Sequence, residues 1–298
     1  MFRYDYWPMK TIALELVPPA TNKPGFSVKE EACRIAALLE TTGLRGMINT
    51  ILVPQLVPED EGRPVALESR MDPLDVRQAF APHLAASYIL TQVTVHTEEQ
   101  DLRQRVADLC DAGVRRLVFV GAPRNNNREL PGPQPETALT MFQDVVPSKG
   151  VILIPTRVGE AERFVRKLDA GADFAVTQLL FSDHVIHFLR GLQAQPKKPE
   201  ILLSFGYVPR AEVDRGLLQW LIRDEKSPFV GDEVKQILQL AAMPLEQRKA
   251  AQVAHYRKVV QEASLLGFPI GIHFECPYGV TAQALDTFRA MLDVWCPE

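Results

Sequence analysis

The sequence predicts a single-domain α/β protein, a (β/α)8 TIM barrel that occupies residues 1–298. About eight short apolar runs alternate with longer amphipathic stretches along the whole chain, and eight strand–helix units close such a barrel. Isolated polar residues lie near the ends of two apolar runs, where a parallel barrel builds its active site. The alternative is a doubly wound open sheet, for which we would expect a phosphate-binding GxGxxG motif after an early strand. The sequence contains no such motif.

The strand-like runs are nearly continuous in apolar character, as expected of strands that are covered on both faces. We place the eight strands at residues 11–16, 46–52, 87–95, 116–121, 150–156, 174–180, 200–206 and 268–274.

Amphipathic stretches with helical periodicity separate these runs. They span residues 28–40, 73–84, 98–113, 135–146, 159–171, 183–192, 211–222, 244–267 and 281–295. Two of them end on Asp-Ala-Gly, a helix stop signal, and Thr97 and Thr281 are candidate N-caps.

The composition excludes several classes of protein. A net charge of -4 gives no electrostatic reason to expect nucleic acid or an anionic membrane as partner. No apolar run approaches the roughly 18 residues of a membrane span, and the N-terminal sequence does not resemble a secretory signal. The four cysteines form no CxxC pair, which favours reduced thiols in a cytoplasmic protein. The sequence does not specify an oligomeric state.

Glu15 is the first candidate for chemistry. It lies in the apolar run TIALEL, shortly before Val-Pro-Pro turns the chain away. A carboxyl group in apolar surroundings has a raised pKa and can act as a general acid near neutral pH. The alternative is a buried structural glutamate paired with an arginine from a neighbouring strand end.

Gln178 is the second candidate, near the carboxyl end of the sixth predicted strand. Its carboxamide donates and accepts hydrogen bonds at once, which suits recognition of the edge of a heterocycle. The alternative is an amide that ties two adjacent strands together inside the barrel. We also expect Asn49 and Thr50 to end the second strand, and Thr94 with His96 to end the third.

His273 and Glu275 share one face of the last strand, since they are two residues apart. A metal site would need at least a third ligand, and Asp183, His184 and His187 lie on a different element without matching spacing. We therefore predict no metal and interpret Glu275 as a second acidic group at the barrel mouth.

Other reaction types are disfavoured by residues that are missing. A Schiff-base mechanism needs a desolvated lysine inside the barrel, and no lysine falls at a predicted strand carboxyl end; Lys10 and Lys149 precede their strands. No serine lies in a GxSxG motif.

Taken together, several segments resemble the methylenetetrahydrofolate reductase family. The likeness runs over most of the chain and is most specific in the strand with Glu15 and the strand with Gln178. The matching segments are ALELVPP, DLRQRVADLCDAGVRRLVFV and DAGADFAVTQLLF, with weaker matches in FGYVPRAEV and GIHFE.

The resemblance implies a (β/α)8 barrel that reduces the methylene bridge of a tetrahydrofolate to a methyl group, a step of one-carbon metabolism and methionine biosynthesis. Glu15 then matches the family's general acid, which protonates a ring nitrogen and leaves an electrophilic iminium carbon. Gln178 matches the glutamine that contacts folate, and we assign Asn49, Thr50 and Glu275 to substrate binding as well.

The chain departs from the family where a flavin would bind. The family has Arg-Gly-Asp after the fourth strand, and this chain has Gly121, Ala122 and Pro123. Thr91 replaces a flavin-contacting histidine, and Gly279 stands where an arginine is expected.

These departures remove groups that hold and tune a flavin. Our hypothesis is therefore that FAD is not used and that NADH passes hydride directly to the folate. We assign Thr94, Gly121, Ala122 and Arg124 to the nicotinamide cosubstrate. The sequence does not decide between NADH and NADPH.

Three alternatives remain open at this point. A flavin could bind through other residues, such as Arg124 and the asparagine-rich loop that follows it. The barrel could bind folate without turnover, since several family positions are altered. Finally, the chain could be an unrelated barrel lyase or hydrolase.

Overall fold

A computed structural model describes residues 10–21, 27–57, 70–121, 130–222 and 227–294. Eight parallel strands form a closed barrel in chain order, and the last strand pairs with the first. The predicted (β/α)8 barrel is confirmed. The strands are β1 (Ile12–Glu15), β2 (Thr50–Val53), β3 (Ser87–Val93), β4 (Arg116–Val120), β5 (Ser148–Leu153), β6 (Phe174–Thr177), β7 (Glu200–Gly206) and β8 (Ile270–Glu275).

Helices cover the outside of the barrel, and buried side chains from both layers form the main core between them. The helices are α1 (Val28–Thr41), α2 (Pro73–Phe80), α3 (Glu99–Asp111), α4 (Pro135–Met141), α5 (Glu160–Asp169), α6 (His184–Gly191), α7 (Glu212–Ile222), α8 (Val230–Ala242), α9 (Leu245–Ser264) and α10 (Ala282–Asp293). No helix within the described ranges has the length and apolarity to cross a membrane.

Helix α8 has no counterpart among the predicted helices. It buries Ile237, Leu240 and Ala241 on one face, an i, i+3, i+4 spacing that could have identified it from the sequence. The connection from β7 to β8 thus contains three helices, and α7 and α8 form a second apolar cluster with the segment that follows β6. This helical pair lies beside the carboxyl end of β6.

The barrel interior is filled by apolar side chains and closed at its amino end by a polar group. Its central cluster comprises Leu52, Ile89, Val118, Phe174, Val176 and Leu202. At the amino ends of the strands, Arg116 donates to Thr11 at 3.0 Å and pairs with Glu200 at 2.7 Å. The interior is therefore a packed core with a closed floor, and the carboxyl end of the barrel is left for a site.

Most strand boundaries differ from those predicted, and the amino ends of β2 and β5 differ in opposite directions. The backbone amides of Met47 and Ile48 both donate to the carbonyl of Leu44, so a turn occupies the first part of the run predicted as the second strand. Apolar character alone does not separate such a turn from a strand. Strand β5 also begins earlier than predicted and includes Lys149 near its amino end.

Candidate active site

Glu15 is the last residue of β1, and its carboxyl group lies at the mouth of the barrel with only 14% of the side chain exposed. Burial raises the pKa of Glu15 to about 7. Within the described ranges, no lysine or arginine lies within 4.0 Å of this carboxylate, and its ion-pair neighbour is His273. The alternative of a structural glutamate paired with an arginine is not what the described residues form.

His273 and Glu275 both point from β8 toward Glu15, because the parallel pairing of β1 with β8 closes the barrel. His273 Nε2 lies 3.8 Å from Glu15 Oε2, and His273 Nδ1 lies 3.5 Å from Glu275 Oε1. Burial lowers the pKa of His273 to about 3, so the imidazole is neutral between two carboxyl groups.

The two carboxyl groups also act on each other. Burial, and then the negative charge of Glu15, raise the pKa of Glu275 well above its ordinary value. Two buried acids this close do not both ionise near neutral pH, and they titrate as a pair. The site therefore retains at least one transferable proton at neutral pH.

The same residues could also hold a metal ion. One ligand atom each from Glu15, His273 and Glu275 lies within 4.8 Å of the other two, and a histidine with two carboxylates is a chemically suitable donor set. The third potential ligand is Glu15 on β1, and not one of the residues around His184, which lie on a different element. The absence of a metal remains a prediction.

Gln178 directly follows β6, so it lies at the same end of the barrel as Glu15. Its Nε2 atom donates to the carbonyl of Leu221 in α7 at 2.6 Å. The carboxamide thus connects the end of β6 to helix α7, rather than to an adjacent strand. Its role in contacting folate remains a prediction.

Asn49 and Thr50 lie at the opposite end of the barrel, and the prediction that they end the second strand is wrong. Strand β2 begins at Thr50. The side chain of Asn49 accepts from the amide of Ile12 at 3.0 Å and donates to the carbonyl of Lys10 at 2.8 Å. Asn49 therefore fastens the start of β1 at the floor of the barrel.

Comparison with known proteins assigns the chain to a family. Residues 8–298 match the family model of mycobacterial methylenetetrahydrofolate reductase. The chain belongs to this family. The match covers nearly the whole sequence and confirms the family resemblance that was identified from individual strands. No curated protein matches the chain.

Two solved structures share the fold of this family member. A Clostridium thermocellum protein, described as binding two copies of 5-methyl-5,6,7,8-tetrahydrofolic acid, is 16% identical with a TM-score of 0.68, and the match covers 96% of each chain. The apo form of MsnO8 is 12% identical with a TM-score of 0.53, and the match covers 95% of this chain and 98% of that one. At these identities the likeness supports the barrel fold alone.

Four residues were predicted to contact the cosubstrate, and the structure describes two of them, Thr94 and Gly121, each in contact with other parts of the protein. The fully buried hydroxyl of Thr94 donates to the carbonyl of Pro133 at 2.7 Å. A Cβ atom on Gly121 would lie 3.2 Å from the ring of Pro135, so glycine permits α4 to start close to β4. Ala122 and Arg124 lie outside the described residues. Cosubstrate binding by these residues remains a prediction.

Thr91 stands where the broader reductase family has a flavin-contacting histidine, and its hydroxyl contacts the protein backbone. Thr91 Oγ1 accepts from the amide of Gln55 at 2.7 Å, and the side chain of Gln55 accepts from the amide of Val93 at 2.6 Å. The Thr91 hydroxyl is therefore used to hold the segment after β2 against β3. Gly279 lies in the turn after β8, beyond the end of the strand.

Sequence reasoning missed Ser204, a buried residue of β7 that contacts the central histidine of the site. Its Oγ atom lies 2.8 Å from His273 Nδ1 and 2.7 Å from the carbonyl of Thr177. The signal was present in the sequence, since Ser204 is a lone hydroxyl inside the apolar run EILLSFG.

Proposed function

We propose that this protein reduces 5,10-methylenetetrahydrofolate to 5-methyltetrahydrofolate, with NADH as direct hydride donor, and that it acts in the cytoplasm. The observation that carries the proposal is a buried carboxyl group at the barrel mouth whose pKa is raised to about 7 and which has no lysine or arginine partner among the described residues. Membership in the reductase family supports the choice of a folate substrate.

The chemistry assigned to Glu15 follows from its protonation state. At neutral pH a substantial fraction of the Glu15 carboxyl groups carries a proton, and the proton is delivered to a ring nitrogen of the folate. The imidazolidine ring opens and leaves an iminium carbon, which accepts hydride from NADH to become the methyl group. One proton and one hydride are consumed, and NAD⁺ is released.

The barrel contributes orientation and exclusion of water. The dihydronicotinamide and the folate would stack face to face over Glu15 at the mouth, and holding two reactants in this way is a large part of catalysis. Gln178 and Glu275 lie at the same end of the barrel and are the side chains we assign to the folate. Asn49 and Thr50 are left out of this assignment because they lie at the floor.

The residues that replace the flavin contacts of the broader family support direct hydride transfer. The Thr91 hydroxyl accepts from the amide of Gln55, and in the sequence Gly121, Ala122 and Pro123 stand where the family has Arg-Gly-Asp. We therefore derive no step through a flavin.

The test is the oxidation of NADH in the presence of methylenetetrahydrofolate by wild-type protein and by Glu15→Gln. We expect the variant to lose about 10²- to 10⁴-fold in kcat, since a general acid contributes on that order. Glu246→Gln, an exposed glutamate of α9, is the matched control and should retain full activity. Full activity of Glu15→Gln would contradict the proposed proton donor.

The pH dependence of kcat/KM provides a second readout. Only the protonated form of Glu15 is active, and burial raises its pKa in the free protein to about 7. We therefore expect kcat/KM to be highest below pH 7 and to fall about tenfold per pH unit above it.

The remaining alternatives give different results in the same preparation. A stoichiometric yellow chromophore in the purified protein would favour the flavin-dependent reductase. Tight folate binding with no NADH oxidation above background would favour a binding protein without turnover.

A further inference from the structure

His273 is almost completely enclosed, with 1% of its surface exposed, and it lies between Glu15 and Glu275. Burial lowers its pKa to about 3. The ring is therefore neutral at working pH and carries one N–H proton. The function of this histidine depends on which of its two nitrogens holds that proton.

The hydrogen-bond chain through Ser204 decides the tautomer. Ser204 Oγ lies 2.7 Å from the carbonyl of Thr177, which can only accept, and its hydroxyl also hydrogen-bonds the carboxyl group of Glu275. Either of these acceptors takes the single hydrogen of the hydroxyl, so at the 2.8 Å contact with His273 Nδ1 the hydroxyl oxygen must accept. The proton consequently lies on Nδ1, and Nε2 has a free lone pair.

That lone pair faces the proposed general acid. His273 Nε2 is buried without a hydrogen-bond partner, a costly arrangement, and it lies 3.8 Å from Glu15 Oε2. A small rotation of the Glu15 carboxyl group would close this distance to a hydrogen bond if the carboxyl carried the donor. Among the residues that the structure describes, the other titratable groups that act on this point are Glu275 on β8 and the buried thiol of Cys276.

We propose that His273 is a positioning residue for the proton of Glu15. Held by Ser204 as the Nδ1–H tautomer, it accepts a hydrogen bond from the protonated carboxyl group of Glu15 and keeps that proton in place until the folate nitrogen takes it. This inference rests on the proposed function for its role in catalysis, whereas the tautomer itself can be observed without turnover.

The two tautomers of His273 shift the pKa of Glu15 in opposite directions. A hydrogen bond donated by the protonated carboxyl group favours the neutral acid and raises its pKa. The opposite tautomer, with the proton on Nε2, would donate to the carboxylate and lower the pKa of Glu15. Removing the Ser204 hydroxyl releases the ring to adopt this second tautomer.

The first experiment observes the tautomer directly, in the intact protein labelled with ¹⁵N at histidine. We expect the His273 resonances, assigned by their loss in His273→Asn, to show a protonated Nδ1 and an unprotonated Nε2 from pH 6 to pH 8. A protonated Nε2 in the wild-type protein would overturn the proposal, whatever activity the protein has.

The second experiment compares Ser204→Ala with Ser204→Thr, which keeps a hydroxyl. In the alanine variant we expect the midpoint of the alkaline limb of the kcat/KM profile to move down by about one pH unit, as loss of one hydrogen bond to the neutral acid implies. The threonine variant should restore the midpoint toward that of the wild type. An unchanged midpoint with a uniform loss of kcat/KM would show a merely structural role and contradict the proposal.

The two failures can be distinguished. If the wild-type protein does not oxidise NADH with methylenetetrahydrofolate, the proposed function fails, and the pKa of Glu15 is then measured by ¹³C NMR of its carboxyl carbon. A lower pKa in Ser204→Ala than in the wild type would still support the positioning role, and an equal or higher pKa would overturn it.

Discussion

At the scale of single residues, the site depends on carboxyl groups that are buried without a cationic partner among the described residues. Taking a carboxyl group out of water favours its neutral form, and this converts Glu15 from a permanent anion into an acid that can donate near pH 7. The pKa of Glu275 is also raised, by burial and then by the charge of Glu15, and the two carboxyl groups titrate as a pair.

The proposed roles of the two acids predict unequal effects of the same substitution. Burial, and then the charge of Glu15, raise the pKa of Glu275 well above its ordinary value, and glutamine closely resembles a protonated glutamate in shape and charge. We expect Glu275→Gln to keep kcat/KM within about fivefold of the wild-type value. For Glu15→Gln we expect a loss of about 10²-fold or more. Steady-state kinetics at pH 6.5 test this. A loss in Glu275→Gln as large as in Glu15→Gln would mean that Glu275 supplies the proton.

At the scale of secondary-structure elements, α8 is held to the end of β6 by one buried carboxyl group. Glu233 accepts from the amide of Phe181 at 2.6 Å and from the hydroxyl of Ser182. Burial raises the pKa of Glu233 to about 7. Gln178 also connects this end of β6 to α7, through the carbonyl of Leu221. The positions of α7 and α8 thus depend on buried polar contacts as well as on apolar packing.

We expect Glu233→Ala to destabilise the protein by about 2 kcal/mol, because it leaves a buried amide and a hydroxyl without their acceptor. Glu233→Gln keeps an acceptor and should cost less. Urea denaturation at pH 6 measures both values. Equal stability of the alanine variant and the wild type would show that this anchor does not hold α8.

The same anchor predicts a pH dependence of stability. The folded pKa of Glu233 lies above its ordinary value, so the folded state binds the proton more tightly than the unfolded state. Its contribution is fully present below the unfolded pKa and declines as the pH rises through 7. Denaturation of Glu233→Gln from pH 5 to pH 8 should show a shallower decline than the wild type; an identical decline would contradict this origin.

At the scale of the whole molecule, stability and chemistry are separated at the two ends of the barrel. The floor is closed by Arg116, Thr11 and Glu200, and the mouth carries Glu15, His273 and Glu275. The packed interior cluster lies between them. Such a division is typical of parallel barrels, in which the amino end supports the fold and the carboxyl end carries out the reaction.

A substitution in the floor should therefore affect folding without changing the chemistry. We expect Arg116→Met to destabilise the protein by about 2–3 kcal/mol, since Glu200 loses the partner of a largely buried pair. The double variant Arg116→Met with Glu200→Gln should recover part of this loss. In both variants the pH midpoint of kcat/KM should match the wild type; a shifted midpoint would show that the floor and the mouth are coupled.

Much of this architecture could be predicted from local patterns. Apolar runs and helical periodicity identified all eight strands and nine of the helices described, because each element must bury its own apolar face. Errors arose where composition does not determine conformation. The apolar residues before Asn49 form a turn. Helix α8 begins with several polar residues, so its apolar face was not identified from the sequence.

The sequence by itself determined the barrel, the family, and Glu15 as an acid at the end of a strand, since these depend on residues that are close together in the chain. Only the tertiary structure decided that His273 and Glu275 face Glu15 and that Ser204 sets the tautomer of His273. The physical reason is closure of the sheet, because pairing of the first strand with the last brings together residues from opposite ends of the chain. Burial inside the closed barrel is the main cause of their shifted pKa values.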